Sequence, residues 1–116
     1  MNSYNKYTDL QINELVATRL KKKCLLTEES VLAYMDSGYR TFDPCNNPTD
    51  AMPIIIENKI CTAFDVFAEE HDGGNWVASP AYGFANERTR SNNLYRAAME
   101  LFLLMKDAEN ENNNNG

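Results

Sequence analysis

One histidine, one tryptophan and five glycines in 116 residues leave this chain short of the parts from which most catalytic and cofactor sites are built. The histidine, His71, lies in the run HDGG beside Glu69, Glu70 and Asp72. A nucleophile and its base must come within hydrogen-bond reach, and a metal site needs three or four convergent ligands. A solvated polar turn whose side chains fan outward offers neither. Gly73-Gly74 has no helix opening directly after it, so neither the P-loop nor the dinucleotide fingerprint is present. Cys24, Cys45 and Cys61 are odd in number, widely spaced and free of any CxxC pair. That excludes a disulfide framework, a zinc ribbon and a thioredoxin-like redox motif, and it reads as the reduced thiols of a cytosolic protein. Long hydrophobic runs are missing too. Nothing approaches the ~20 apolar residues of a membrane span, and the opening MNSYNKYTDL carries no apolar signal core. The expectation is a cytoplasmic protein that stays where it is made, with no cofactor and no membrane partner.

Positive charge is also scarce. The formal net charge is −6, and an acidic chain repels phosphate backbones, so no nucleic-acid partner is expected. Lys21, Lys22 and Lys23, after Arg19, form the basic cluster. They read as compensation of the negative pole at a helix end rather than as a DNA contact. The carboxylates are scattered, not gathered into the dense acidic face of a DNA mimic. Seventeen Asp and Glu offer many candidate acid–base pairs, and nothing in the pattern selects one. What the chain does have is a hydrophobic fraction of 43%, enough for one packed core and too little length for two.

The pattern predicts a single α+β domain over 1–108, with three to four helices packed on a short antiparallel hairpin or small sheet, and a disordered polar tail over 109–116. Thr8 and Gln11 make a capping box for a first helix, whose apolar stripe is Ile12, Leu15, Val16 and Leu20. Thr27, followed by Glu28 and Glu29, reads as the cap of a second helix carrying Val31, Leu32 and Met35, with Gly38 as its left-handed terminator. In the proline-broken segment YRTFDPCNNPTDAMP, Asp50 reads as the cap of a short helix with Pro53 in its first turn. Ile54, Ile55 and Ile56 fit either that helix or a strand. Residues 60–67 alternate as a strand, HDGGN at 71–75 reads as a turn, and NWVASPAYGF as the partner strand ending near Pro80. NERTRSNN reads as a loop leading to a last helix faced by Leu94, Ala97, Ala98, Leu101, Phe102, Met105 and Ala108. That face is wide, which leaves a homodimer open.

Three segments, FDPCNNPTDAMPIIIENKI at 42–60, Trp76-Val77-Ala78 and NNLYRAAMELFLLMKDAE at 92–109, together with the N-terminal YTDLQINELVA, resemble the NinX-like proteins of lambdoid and related phages. The likeness spans the chain apart from its tail. The stretch Asp-Pro-Cys…Pro-x-Asp-Ala-x-Pro-Ile-Ile is its most specific part, while Asn92-Asn93-Leu94 departs from the family's Asn-Pro-Leu. The resemblance implies a small phage accessory protein working in the cytoplasm of an infected bacterium. The family has no assigned activity and supplies no catalytic residues.

The polar loop is the candidate binding edge. Asp43, Asn46, Asn47 and Asp50 crowd among prolines that stiffen it, with Trp76 and Arg96 as prospective neighbours. Trp and Arg are frequent interface anchors, and Arg grips phosphate or carboxylate bidentately. The competing reading is structural: short polar side chains capping a turn and a helix start, and an Arg96–Glu100 pair one helical turn apart. Three functions stand as expectations. The first is non-catalytic binding of a host or phage protein during infection. The second is a small-molecule binder that sequesters a phosphorylated, nucleotide-derived host defence signal. The third is an enzyme of an unrecognised type.

Overall fold

The computed structural model describes residues 4–81 and 87–115, with side chains as far as residue 110. It is a small α+β domain of three α-helices and two three-stranded antiparallel sheets. Helix α1 spans Asp9–Arg19, and strands β1 (Cys24–Leu26), β2 (Val31–Met35) and β3 (Gly38–Thr41) follow as a first sheet in sequence order. Helix α2 covers Pro48–Glu57. Strands β4 (Cys61–Phe64), β5 (Trp76–Ser79) and β6 (Thr89–Ser91) form the second sheet, and α3 closes the chain over Leu94–Asn115.

Helix α1 starts as its sequence dictates. Thr8 Oγ1 accepts from the Gln11 amide at 3.1 Å, and Gln11 Oε1 accepts from the Thr8 amide at 2.8 Å. Two end amides that a helix leaves unpaired are thereby satisfied. At the other end, Leu20 is the C-cap and Lys21 turns left-handed at φ 58°. The three lysines therefore lie beyond the helix, on the way into the first sheet. Two of them place their ammonium groups over aromatic rings: Lys22 Nζ is 5.3 Å from the Phe42 centroid and Lys23 Nζ 5.6 Å from that of Tyr34.

The helix expected after Thr27 is a β-hairpin. Thr27 does cap, but it caps a turn: its Oγ1 accepts from the amides of Ser30 at 2.9 Å and Glu29 at 3.3 Å. The same side-chain chemistry serves a helix start or a tight turn. Val-Leu-Ala-Tyr-Met satisfies a period of two as well as one of 3.6. In the strand, Val31 and Ala33 are buried while Leu32 and Tyr34 face outward. Asp36, at φ 59°, makes the next turn, and Gly38 opens β3 rather than ending a helix.

In α2 the N-cap is Asn47, whose Oδ1 accepts from the Thr49 amide at 3.0 Å, with Pro48 at the first helical position. Asp50 falls inside the first turn, and Pro53 sits within the helix rather than at its start. Ile54 and Ile55 are buried and Ile56 is 66% exposed, so the isoleucine run is helical. Strands β4 and β5 fall where alternation places them, paired from Cys61↔Ser79 to Phe64↔Trp76. The loop NERTRSNN contains β6, paired Trp76↔Ser91 to Ala78↔Thr89. Part of the segment after Pro80, residues 82–86, lies outside the described residues.

Helix α3 is the centre of the molecule. It packs on β5, β6 and β4 on one side and on α1 and α2 on others, while α1 in turn meets β2 of the first sheet. Arg96 to Leu103 is an unbroken buried stretch, with Met99, Leu101, Phe102 and Leu103 all at 0% exposure. The helix is thus enclosed on all sides along this stretch instead of presenting one apolar face, the behaviour of a core helix. Its backbone continues to Asn115, through the segment expected as a polar tail.

The two glycines of the HDGGN turn are conformationally required. Gly73 has φ 101° and Gly74 φ 138°, and a Cβ on Gly74 would stand 2.2 Å from the Ser91 carbonyl carbon. Backbone of the turn before β5 is thus pressed directly on the end of β6. Gly74→Ala should cost at least ~2 kcal/mol, because strain and steric clash combine. A urea titration checks this, and an unchanged midpoint would refute the close approach.

Candidate functional site

Two polar residues interrupt the buried stretch of α3, Arg96 and Glu100, one turn apart on the same side of the helix. Arg96 is 8% exposed and Glu100 2%. Arg96 Nε donates to Glu100 Oε2 at 2.6 Å, and Nη1 donates to Asp9 Oδ1 at 2.7 Å. Nη2 donates to the carbonyl oxygens of Tyr7 at 2.7 Å and Tyr4 at 3.0 Å. Every nitrogen of the guanidinium therefore has a partner in the fold. Burial works against its charge, yet the hydrogen bonds to Asp9 and Glu100 prevail and push its pKa above the ordinary arginine value.

The polar loop continues the same network. Asp9 Oδ2 accepts from Asn46 Nδ2 at 3.1 Å, and Asn46 Nδ2 also reaches Asp43 Oδ1 at 3.2 Å. Asn46 Oδ1 accepts from Asn93 Nδ2 at 3.0 Å, while Asn93 Oδ1 caps α3 by accepting from the Tyr95 amide at 2.9 Å. Asp43 Oδ1 accepts from Asn13 Nδ2 at 2.7 Å, and Asn13 Oδ1 from the Cys45 amide at 3.1 Å. The Asp43 amide donates to Asp50 Oδ2 at 2.9 Å. Of the residues singled out in the sequence, Asp43, Asn46 and Arg96 thus meet in one chain of hydrogen bonds. Asn47 and Asp50 flank it as helix cap and loop tie. Trp76 belongs elsewhere: half-buried on β5, it packs edge to face on Phe64 with centroids 5.1 Å apart.

Beside this network lies a cleft of about 460 Å³ lined by Asn5, Asp9, Arg90, Asn93, Arg96 and Glu100, among others. Its second arginine is also engaged. Arg90 Nη2 donates to Asp65 Oδ2 at 2.9 Å and Nη1 to the Gly74 carbonyl at 3.2 Å. That bond, with one from the Phe67 amide, holds the Asp65 carboxyl below the ordinary aspartate pKa. Each of the two guanidiniums in the cleft already faces a carboxylate. Chemically, Arg96 and its partners hold the chain's N-terminal segment, the polar loop and α3 together, while Arg90 ties β6 to the residue after β4 and to the turn before β5.

Other reactive groups are dispersed. His71 is exposed in a short 3-10 helix, Glu70–Asp72, near Asp72 and Glu69, at 3.5 and 3.8 Å. Cys45 is fully buried, its thiol pKa pushed far up by burial and then by Asp9. Among the described residues no group of three or more His, Cys, Asp or Glu is gathered as a metal ion would require. No helix among them is long and apolar enough to cross a membrane. No model of a known protein family matches the chain, and no curated protein matches it either.

Sequence reasoning missed the exposed face of the first sheet. Leu25, Leu32, Tyr34 and Tyr39 stand on the side of that sheet away from Val31 and Ala33, with Leu25 paired to Leu32 and Tyr34 to Tyr39. Leu25 is 51% exposed, Tyr34 47% and Tyr39 38%, and the two tyrosine rings meet edge to face at 5.3 Å. The alternation in VLAYM was the available signal, hidden by the competing helical reading.

Removing one member of the buried pair leaves a charge stranded. Arg96→Ala or Glu100→Ala should lower stability by ~3–5 kcal/mol, against ~1 kcal/mol for the helix-cap variant Asn47→Ala. Equilibrium denaturation distinguishes the two classes, and an Arg96→Ala protein of unaltered stability would overturn the structural assignment. In native buffer an alkylating reagent should leave Cys45 unmodified until the protein unfolds, because the reactive thiolate is suppressed there. Peptide mass mapping reads this directly.

Proposed function

We propose that this protein works by non-catalytic binding of another protein, host- or phage-encoded, in the cytoplasm of an infected bacterium, as an accessory protein of the NinX-like kind. The observation that carries this reading is the uncovered outer face of the first sheet. Leu25, Tyr34 and Tyr39 remain between 38% and 51% exposed in a contiguous patch. Contiguous exposed apolar surface of this sort marks interaction sites, and tyrosine supplies large contact area with a polar tip at little entropic cost. Lys23, above the Tyr34 ring, places a positive charge at the rim.

The polar loop is a weaker candidate than its composition implied, since Asp43, Asn46 and Asp50 spend their hydrogen bonds on the fold. The same consideration weighs against sequestration of a phosphorylated small molecule. The cleft is large enough, but Arg90 and Arg96 already hold Asp65 and Asp9.

Native mass spectrometry of tagged protein recovered from infected cells tests the proposal. The expected result is a protein-sized mass addition, distinct from a second 13.2 kDa copy of the chain itself, that disappears in a Leu25→Glu/Tyr34→Glu double variant and persists in Asn46→Ala. A ligand-sized addition, or a partner retained by the double variant, would overturn it.

A further inference from the structure

Among the described residues, strand β4 is the outermost strand of the second sheet, hydrogen-bonded to β5 on one side only. Asp65 donates its amide to the Asn75 carbonyl at 2.7 Å, and Ile60 donates its amide away from the sheet, to Ile55 at 3.0 Å. Main-chain groups alternate sides along a strand. Cys61 and Ala63 therefore turn their N–H and C=O toward β5, and Thr62 and Phe64 turn theirs outward along an open edge. Natural sheets guard such edges with charge, proline or a bulge. The strand Cys-Thr-Ala-Phe has no charged residue and no proline, and Cys61, Ala63 and Phe64 are all exposed.

The surroundings of this edge are self-complementary. Just before the strand stand Ile56, 66% exposed, and Lys59; just after it stand Asp65, then Val66 and Phe67, 70% and 87% exposed. Antiparallel pairing of two copies about a two-fold axis sets the start of each strand against the end of the other. It turns Lys59 toward the end of the other copy that carries Phe67 and the exposed Glu69 and Glu70, and brings Ile56 toward Val66 and Phe67. We infer that β4 is the docking edge for a second copy of this chain. Thr62 and Phe64 of one copy exchange hydrogen bonds with Phe64 and Thr62 of the other, Ala63 lies on the axis, and the two three-stranded sheets join into one of six strands. This surface is separate from the outer face of the first sheet, so the dimer and the proposed partner stand or fall independently.

Ala63 provides the test, because its exposed side chain lets it be changed without disturbing the core. On the axis it faces its own copy in a non-hydrogen-bonded pair, where Cα atoms approach to about 4.5 Å, a span a disulfide bridges. The wild-type chain should sediment at twice its 13.2 kDa mass. Ala63→Lys should place two like charges in contact and weaken dimerisation at least about tenfold, with an unchanged circular dichroism spectrum. Ala63→Cys in a Cys61→Ser background should form an intermolecular disulfide under mild oxidation. A wild-type chain that stays monomeric at high concentration, alone or with a different protein on the strand, would overturn the inference. So would a dimer indifferent to Ala63→Lys, or a folded Ala63→Cys chain that does not cross-link.

Discussion

The guanidinium of Arg96 is the joint on which the molecule turns. A charged group can lie in the buried stretch of α3 only if its hydrogen-bonding capacity is met. It is met from two separate parts of the chain: Glu100 on its own helix, and the N-terminal segment, which supplies Asp9 at the start of α1 and the carbonyls of Tyr4 and Tyr7 before it. An apolar side chain at this position would pack without choosing among neighbours. Arginine fixes the angle at which the N-terminal segment crosses α3, because the planar fork accepts partners in set directions only. A second anchor fixes the far end of the same crossing. Asp107 on α3 accepts from Arg19 at 2.6 Å and also from the Tyr4 hydroxyl. The polar loop, tied to Asp9 through Asn46, inherits its position from this frame.

Much of this was legible residue by residue, and the failures share a cause. The α1 capping box, the strand pair β4–β5 and the start of α3 follow from short-range chemistry that tertiary structure leaves intact. The Arg96–Glu100 pair was visible as an i, i+4 spacing. The first sheet was not, because Thr27 and the VLAYM run satisfy helix and hairpin rules equally, and only pairing with Cys24–Leu26 and Gly38–Thr41 decides between them. Asn13 and Asn93 were missed for the opposite reason. Their partners, Asp43 and Asn46, lie 30 and 47 residues away in sequence, and no local pattern announces such a bond. Trp76 was grouped with the polar loop by composition, whereas its strand register places it against Phe64.

The division of labour that results is between a polar interior seam and apolar exteriors. Residue types usually associated with recognition, arginine and crowded amides, are spent inside the fold. Residue types usually associated with cores, leucine, tyrosine and phenylalanine, are left on the surface at Leu25, Tyr34, Phe64 and Phe67. For an acidic chain of net charge −6, that inversion leaves apolar side chains, more than charge, as the conspicuous feature of the described surface.

The seam also orders events in time. The carbonyls of Tyr4 and Tyr7 and the carboxylate of Asp9 find their partner 87 to 92 residues later in the chain. On a ribosome adding ~5–20 residues per second, the nascent segment carrying α1 and the first sheet waits seconds with its inner surface uncovered, since α3 follows both sheets in the chain. This frame therefore closes only once α3 has emerged. The early half of the chain must remain soluble on the strength of its caps, its turns and its lysines alone.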